Sequence, residues 1–282
     1  MKNPNNKLKR IGKKIMKVQI SEIFCSIQGE GVFAGVPSVF LRTNGCNLRC
    51  CFAGGSICDT AYTSHHPGES EYTDTKEVIG ELKKIFKENP NVRHLVITGG
   101  EPMIQQRALI EILKGLEENP INLPIITVET NGSISPLEEF YYYVDFWSVS
   151  PKLSTSACFD GTDIPKESQE HHNKTRINIK SLYDIIMSSR KIQMKFVYSD
   201  SSNENEIKDL LKQIYDYGSN TTNSYVFQEC FNENLQVMLM PEGQILEQVQ
   251  RSSKEAVEVC IKNGWRFTDR LHIRIWGDKR KV

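Results

Sequence analysis

The chain has 282 residues, enough for one large domain with a sizeable buried core. Lys plus Arg and Asp plus Glu both number 35, so no net field draws the protein to nucleic acid or to an acidic membrane surface. Its apolar runs, such as 95–97, fall far short of the about 20 residues a membrane span needs, and a small molecule is the expected partner.

Residues 1–17 carry seven Lys or Arg and no acid. Without the apolar stretch of a secretory signal they read as a flexible basic tail, followed by a single domain over 18–282. The tail has no aromatic side chain to stack on a base, so it is not expected to bind nucleic acid. Short runs rich in β-branched and aromatic residues predict strands over 18–25, 39–42, 94–98, 125–129, 146–149, 193–197, 225–227 and 236–240. Helices are predicted over 75–87, 105–117, 182–188, 204–215 and 246–263. In the first of these Val78, Ile79, Leu82, Ile85 and Phe86 recur at helical spacing behind Thr75 as the cap. Residues 154–176 are polar, contain His171 and His172, and have no period; a loop or insertion is expected there. The alternation predicts an α/β fold in which helices cover a parallel sheet, in the manner of a partial (β/α) barrel. Its site should lie at the carboxyl ends of the strands.

Four of the eight cysteines crowd into residues 46–58, while Cys25, Cys158, Cys230 and Cys260 are scattered. This pattern suits a local metal site in a reducing, cytoplasmic setting better than a disulfide framework. Cys46, Cys50 and Cys58 are one thiolate short of closing an iron–sulfur cube, which leaves an iron open for chemistry. Cys51 adjoins Cys50 and either one can be the middle ligand; three residues between Cys46 and Cys50 favour Cys50 and leave Cys51 as a small buried hydrophobe. His65 and His66 follow soon after, so a non-catalytic zinc module is an alternative.

The Cys46-x3-Cys50 opening and Thr98-Gly-Gly-Glu-Pro102 together resemble the radical S-adenosylmethionine superfamily, in which three cysteines hold a [4Fe–4S] cluster and S-adenosylmethionine takes the fourth iron. The usual third cysteine comes two residues after the second, whereas here residues 51–57 intervene before Cys58. Within the superfamily, Glu22-Ile-Phe-Cys-Ser-Ile-Gln-Gly-Glu-Gly31, Gly35-Val-Pro-Ser-Val-Phe-Leu-Arg42, Cys58-Asp-Thr60, Glu129-Thr-Asn-Gly132, Ser150-Pro-Lys152 and Arg270-Leu-His-Ile-Arg-Ile-Trp-Gly277 are similar to the family of 7-carboxy-7-deazaguanine synthases. That resemblance implies conversion of 6-carboxy-5,6,7,8-tetrahydropterin to 7-carboxy-7-deazaguanine with loss of ammonia, on the route to queuosine. It implies a cluster on Cys46, Cys50 and Cys58, and Mg²⁺ on Thr60. Cofactor contacts are implied at Ile57, Cys58, Asp59, Gly99, Gly100, Glu101, Ser150, Pro151, Lys152, Met240 and Pro241, with the Glu101 carboxylate receiving the ammonium of S-adenosylmethionine. Ile27, Gln28, Gly29, Arg42 and Thr98 are the implied substrate contacts, and the end of the chain near Trp276 and Val282 closes over the substrate. An external electron donor of flavodoxin or ferredoxin type and a homodimer complete the implied set. A glycyl-radical activating enzyme would share the cluster and the glycines without needing Gln28 or Thr60.

Overall fold

The computed structural model describes residues 16–53, 56–65, 72–117, 124–221, 223–277 and 279. Strands β1 (Lys17–Ile27) and β2 (Pro37–Thr43) are joined by residues 28–36. They are followed by the short strands β3 (Cys51–Phe52) and β4 (Ser56–Ile57), helix α1 (Ala61–Ser64), strand β5 (Tyr72–Asp74) and helix α2 (Thr75–Glu88). Strands and helices then alternate: β6 (His94–Gly99), α3 (Gln106–Glu117), β7 (Ile125–Thr130), α4 (Glu138–Tyr143), β8 (Phe146–Val149), α5 (Lys166–Thr175), α6 (Ile179–Ser188) and β9 (Ile192–Tyr198). The remainder is α7 (Ser202–Ser219), α8 (Ser224–Glu229), β10 (Leu235–Pro241), α9 (Leu246–Asn263), β11 (Arg266–Phe267) and α10 (Leu271–Trp276).

One sheet runs in the order β11-β10-β9-β8-β7-β6-β2-β1-β5. Every pair from β11 to β2 is parallel, while β1 pairs antiparallel with β2 and with β5. The expected partial barrel is therefore present, with two open edges. Side chains alternate across its wall, because successive residues of a strand face opposite ways. Leu95, Ile97, Ile126, Val128, Trp147, Val149, Met194 and Phe196 face outward into the hydrophobic core beneath the helices. Thr98, Glu129, Ser148, Lys195, Val197 and Met240, on the opposite phase, face the lumen. A helix-covered parallel sheet normally reads as a near-continuous apolar run; the polar residues here occupy the face that the helices do not cover. Residues 28–36 fold under the amino ends of the strands. There Phe33 sits 4.6 Å from the ring of His94 and 5.0 Å from that of Phe146.

Three local expectations differ from the structure. Residues 225–227 lie in α8, because Phe227 and Phe231, one helical turn apart, pack on Tyr183 and Tyr215; this tertiary packing outweighs the strand preference of an aromatic run. The 154–176 segment contains α5, a helix of ten residues whose period was hidden because only His172 on it is buried. The cap of α2 is Asp74, which accepts from Lys76 N at 2.9 Å, while Thr75 is the first helical residue. The tail up to residue 15, together with His66 and Val282, lies outside the described residues. Among the described residues, no helix is long and apolar enough to cross a membrane.

Two buried histidines make the fold sensitive to acid. Ser38 Oγ donates to Val36 O at 2.9 Å and so accepts from His94 Nδ1 at 2.8 Å; His94 Nε2 then accepts from Thr127 Oγ1 at 2.7 Å. Burial pushes His94 down to about 4 against the opposing pull of Glu129, and burial, with Arg176 and Lys152, does the same to His172. Both histidines are protonated near pH 6.5 in the unfolded chain but only near pH 4 in the folded one. Unfolding in that window takes up protons, so stability falls as pH drops from about 6.5 to about 4, at up to about 1.4 kcal/mol per pH unit for each histidine. Urea denaturation at about pH 7.5 and about pH 5 reads this loss, and equal midpoints would contradict it.

Candidate active site

The chain leaves β2 at Thr43 and enters the cysteine segment at the carboxyl end of the sheet. Here the seven residues between Cys50 and Cys58 form a hairpin, with Cys51 opposite Ile57 and Phe52 opposite Ser56. The next pair down this ladder is Cys50 and Cys58, and Cys58 N donates to Cys50 O at 3.2 Å. The pairing of the described residues on either side brings the two cysteines side by side, and Phe52, Ser56 and Ile57 of the hairpin line the cavity themselves. Cys46, Cys50 and Cys58 all line one cavity of about 310 Å³. Cys51 does not line it; this residue is fully buried, and its backbone pairs with Ala157 and Cys158.

Burial pushes Cys46 up to about 12 and raises Cys50 and Cys58 as well, while Lys152 is the cation that acts against burial at all three. Three thiols opening on one cavity, with the Lys152 ammonium acting on all of them, fit a [4Fe–4S] cluster. Iron replaces the protons that burial would keep on sulfur, and three thiolates leave one iron open. A zinc module would need its donors gathered about a point. Among the described residues, no three Cys, His, Asp or Glu side chains are grouped to hold a single ion, and His65 Nε2 contacts Cys50 O at 3.1 Å.

Gly99 and Gly100 end β6 and line the cavity. A Cβ on Gly99, at φ +141°, would collide with the backbone of Thr43, and one on Gly100 would collide with Gly45 O. The two glycines therefore let β6 dock on the start of the cysteine segment, where Glu101 N donates to Gly45 O at 2.9 Å. The Glu101 side chain is off the cavity wall and fully buried. It accepts from Met103 N at 3.0 Å, Thr130 Oγ1 at 2.7 Å and Asn131 N at 2.7 Å, and burial raises its pKa against these hydrogen bonds. Glu101 thus ties the β6 turn to the Glu129-Thr-Asn-Gly132 turn after β7. Pro151 and Pro241 also lie off the wall, whereas Ile57, Asp59, Thr60, Ser150, Lys152 and Met240 line it. Lys152 Nζ donates to Ser150 Oγ at 3.0 Å, and Thr60 Oγ1 lies 3.3 Å from Cys58 Sγ.

Ile27, Gln28, Gly29, Arg42 and Thr98 line the same cavity, on the lumen side. Gln28 Nε2 donates to Glu129 Oε1 at 2.9 Å and Thr98 Oγ1 to Glu129 Oε2 at 2.7 Å, so one carboxylate of β7 joins two of the expected contacts. Arg42 Nε pairs with Glu22 at 2.8 Å, and its guanidinium lies 5.9 Å from the centre of the Phe24 ring, itself stacked on Phe40. Arg270, which is nearly inaccessible, bonds Glu30 at 3.0 Å and also Asp59 and Gly243 O, while Lys195 bonds Glu30. Burial raises the carboxyls of Glu30 and Asp59, but these cations outweigh it and hold both well below the usual carboxylate range.

Lys195 is a cavity residue that sequence reasoning missed, and Glu30, Glu129 and Arg270, which lie inside the quoted motifs, were given no role there. The available signal was a Lys in the middle of an apolar strand, at 195, since a charged group seldom enters a core without a partner. Gly29 has a steric role: a Cβ there would overlap the imidazole of His272, another cavity residue. Gly29→Ala should push His272 from the wall and weaken substrate binding by about tenfold while leaving thermal stability within about 1 kcal/mol. Binding titration of the substrate checks this, and an unchanged dissociation constant would refute it.

A profile of the Radical SAM superfamily matches residues 40–150. The chain is 35% identical over 264 residues to the 7-carboxy-7-deazaguanine synthase of Halobacterium salinarum, covering 92% of this chain and 90% of that protein. It is 32% identical over 263 residues to the enzyme of the same name from Rhodopirellula baltica, covering 93% and 87% of the two chains. For the one from Pyrobaculum aerophilum the identity is 31% over 267 residues, covering 94% and 97%. The crystal structure of QueE from Escherichia coli shares the fold, with a TM-score of 0.54 at 22% identity over 91% of this chain and 95% of that one.

Proposed function

The chain belongs to the 7-carboxy-7-deazaguanine synthase family of radical S-adenosylmethionine enzymes, and from this membership we infer that it converts 6-carboxy-5,6,7,8-tetrahydropterin to 7-carboxy-7-deazaguanine with release of ammonia. It is a lyase of the 7-deazaguanine and queuosine pathway that uses a [4Fe–4S] cluster and S-adenosylmethionine. The observation that carries the reading is a single cavity with three thiols on one wall and a charged, hydrogen-bonding barrel lumen behind them. Closed below by residues 28–36, this space suits a small bicyclic molecule better than a polypeptide backbone.

When bound, the cluster and S-adenosylmethionine supply one-electron cleavage to a carbon radical. The chain supplies placement. Cys46, Cys50 and Cys58 hold iron, and Lys152 offsets part of the thiolate charge. Ile57, Asp59, Gly99, Gly100, Ser150 and Met240 wall the cofactor, with Glu101, Pro151 and Pro241 supporting that wall from behind. Gln28, Thr98 and Glu129 offer matched donors and acceptors to the pterin edge, beside Ile27 and Gly29. Arg42 presents a planar fork to the substrate carboxylate. The Thr60 hydroxyl would offer Mg²⁺ one oxygen ligand, and the ion would supply positive charge near the substrate carboxylate. A flavodoxin- or ferredoxin-type protein donates the electron. Eight free cysteines support a reducing, cytoplasmic setting; the homodimer rests on family resemblance.

Anaerobic reconstitution with iron and sulfide, followed by reduction and addition of S-adenosylmethionine, Mg²⁺ and the pterin, tests the whole reading by mass spectrometry. 7-Carboxy-7-deazaguanine is the expected product. 5′-Deoxyadenosine without it would overturn the substrate, and neither product from a fully loaded cluster would overturn the enzyme.

A further inference from the structure

The polar 154–176 segment, which no motif explains, grips the cysteine segment on both sides of Cys50. On one side Cys51 forms a parallel bridge with Ala157 and its carbonyl accepts from Cys158 N at 2.9 Å. On the other side Arg49 N donates to Nδ1 of His172 at 3.2 Å. The imidazole is fixed in turn. Ser156 Oγ donates to Leu153 O at 2.6 Å and so receives the Nε2 proton of His172 at 3.3 Å, while Phe159 meets the ring edge-on at 5.4 Å. With its proton committed to Ser156, the ring has one lone pair to offer, and it points at the Arg49 amide. The Arg49 guanidinium has no acceptor to offer that amide; its Nη1 donates to the carbonyls of Cys46 and Leu48 at 2.9 Å each. His172 is fully buried, and an amide beside it without an acceptor would be costly.

We propose that His172 is a positioning residue for the cluster: it accepts the Arg49 amide hydrogen and, together with the Cys51–Cys158 pairing, holds Cys50 in the orientation that iron requires. The inference rests on the reading of Cys46, Cys50 and Cys58 as the ligands. It gives the 154–176 segment a task, which is to brace a cysteine segment that has a hairpin inserted between its second and third ligands.

The test compares iron release from the reconstituted holoprotein to a chelator, alongside the electron paramagnetic resonance signal of the reduced cluster, in three variants. His172→Asn keeps an acceptor oxygen near the position of Nδ1; His172→Gln carries its amide one carbon further; His172→Leu has none. Leu and Gln should lose iron about tenfold faster than the native protein with an altered signal, and Asn should stay within about threefold, the size of effect a residue orienting a metal ligand commonly has. If Leu and Gln keep iron as well as the native chain, or Asn loses it as fast as they do, the proposal falls. Should the Leu variant not fold, the contrast between Asn and Gln decides alone. Cys50→Ala separates the two readings, because a full cluster in that variant would remove the ligand assignment, whereas His172 is judged only on iron release in its own variants.

Discussion

Cys58→Ala should yield a chain that folds but takes up no stable cluster and forms no 5′-deoxyadenosine, whereas Cys51→Ala should keep both. The two cysteines lie seven residues apart on either side of one small hairpin, yet one opens on the cavity and the other is sealed from it. Removing the Cys58 sulfur takes away one of three donors, and the described His and Asp neighbours of Cys58 are already engaged. His65 is engaged with the Cys50 carbonyl, and Asp59 is held by Arg270. The loss of cluster affinity should exceed the about 100-fold that removal of a supporting residue costs. Cys51 offers only a weak S–H contact to Phe52 O at 3.8 Å, so its truncation leaves a void about the size of one sulfur and costs about 1 kcal/mol. Iron and sulfide analysis of the two purified variants reads the difference, and the reverse pattern would overturn the choice of Cys46, Cys50 and Cys58 as ligands.

Arg270→Met should cost about 3–5 kcal/mol of folding stability, the range expected when one partner of a buried ion pair is removed. Arg270 joins three segments distant in sequence: Glu30 beneath the barrel, Asp59 next to the third cysteine, and Gly243 after β10. With the guanidinium gone, Glu30 still has Lys195 and Asp59 is open to water, so the cost comes chiefly from the lost bonds of the buried Arg270 side chain to Glu30 and the Gly243 carbonyl. Arg270→Lys should recover less than half of the loss, because a point charge cannot bond three acceptors in one plane. Urea unfolding of the three proteins reads the order, and equal midpoints for Arg270 and Met would show that the clamp carries no stability.

The sequence was most readable where side-chain period and element type agree. Alternating apolar runs located seven of the sheet strands, and the short motifs located much of the cavity wall. Where local preference and tertiary packing part company the reading failed, as with Tyr225-Val-Phe227, which is helical because Phe227 and Phe231 share a face. The charged part of the lumen went without a role for a different reason. Glu129 and Lys195 act through each other's neighbourhood, with Glu129 bonding Gln28 and Thr98, and Lys195 bonding Glu30, and none of these separations is short in sequence. His172 was visible only as one histidine in a polar stretch, because its value comes from an amide 123 residues away.

In the cysteine hairpin the distance between ligands along the chain is decoupled from their distance in space. Register works as a ruler with its zero at Cys50 and Cys58, and each further rung, Cys51 with Ile57 and then Phe52 with Ser56, stands farther along the arm from the two thiols. Adding one residue to each of β3 and β4 would lengthen the arm by about 3.3 Å and leave the two thiols in place, whereas a single residue added to one strand would slip the pairing and turn its side chains over. Spacing between the second and third cysteines can therefore vary widely within one working site, in steps of two. A search that demands a fixed interval would pass over such a chain, while one that asks for a hairpin closing on two cysteines would find it.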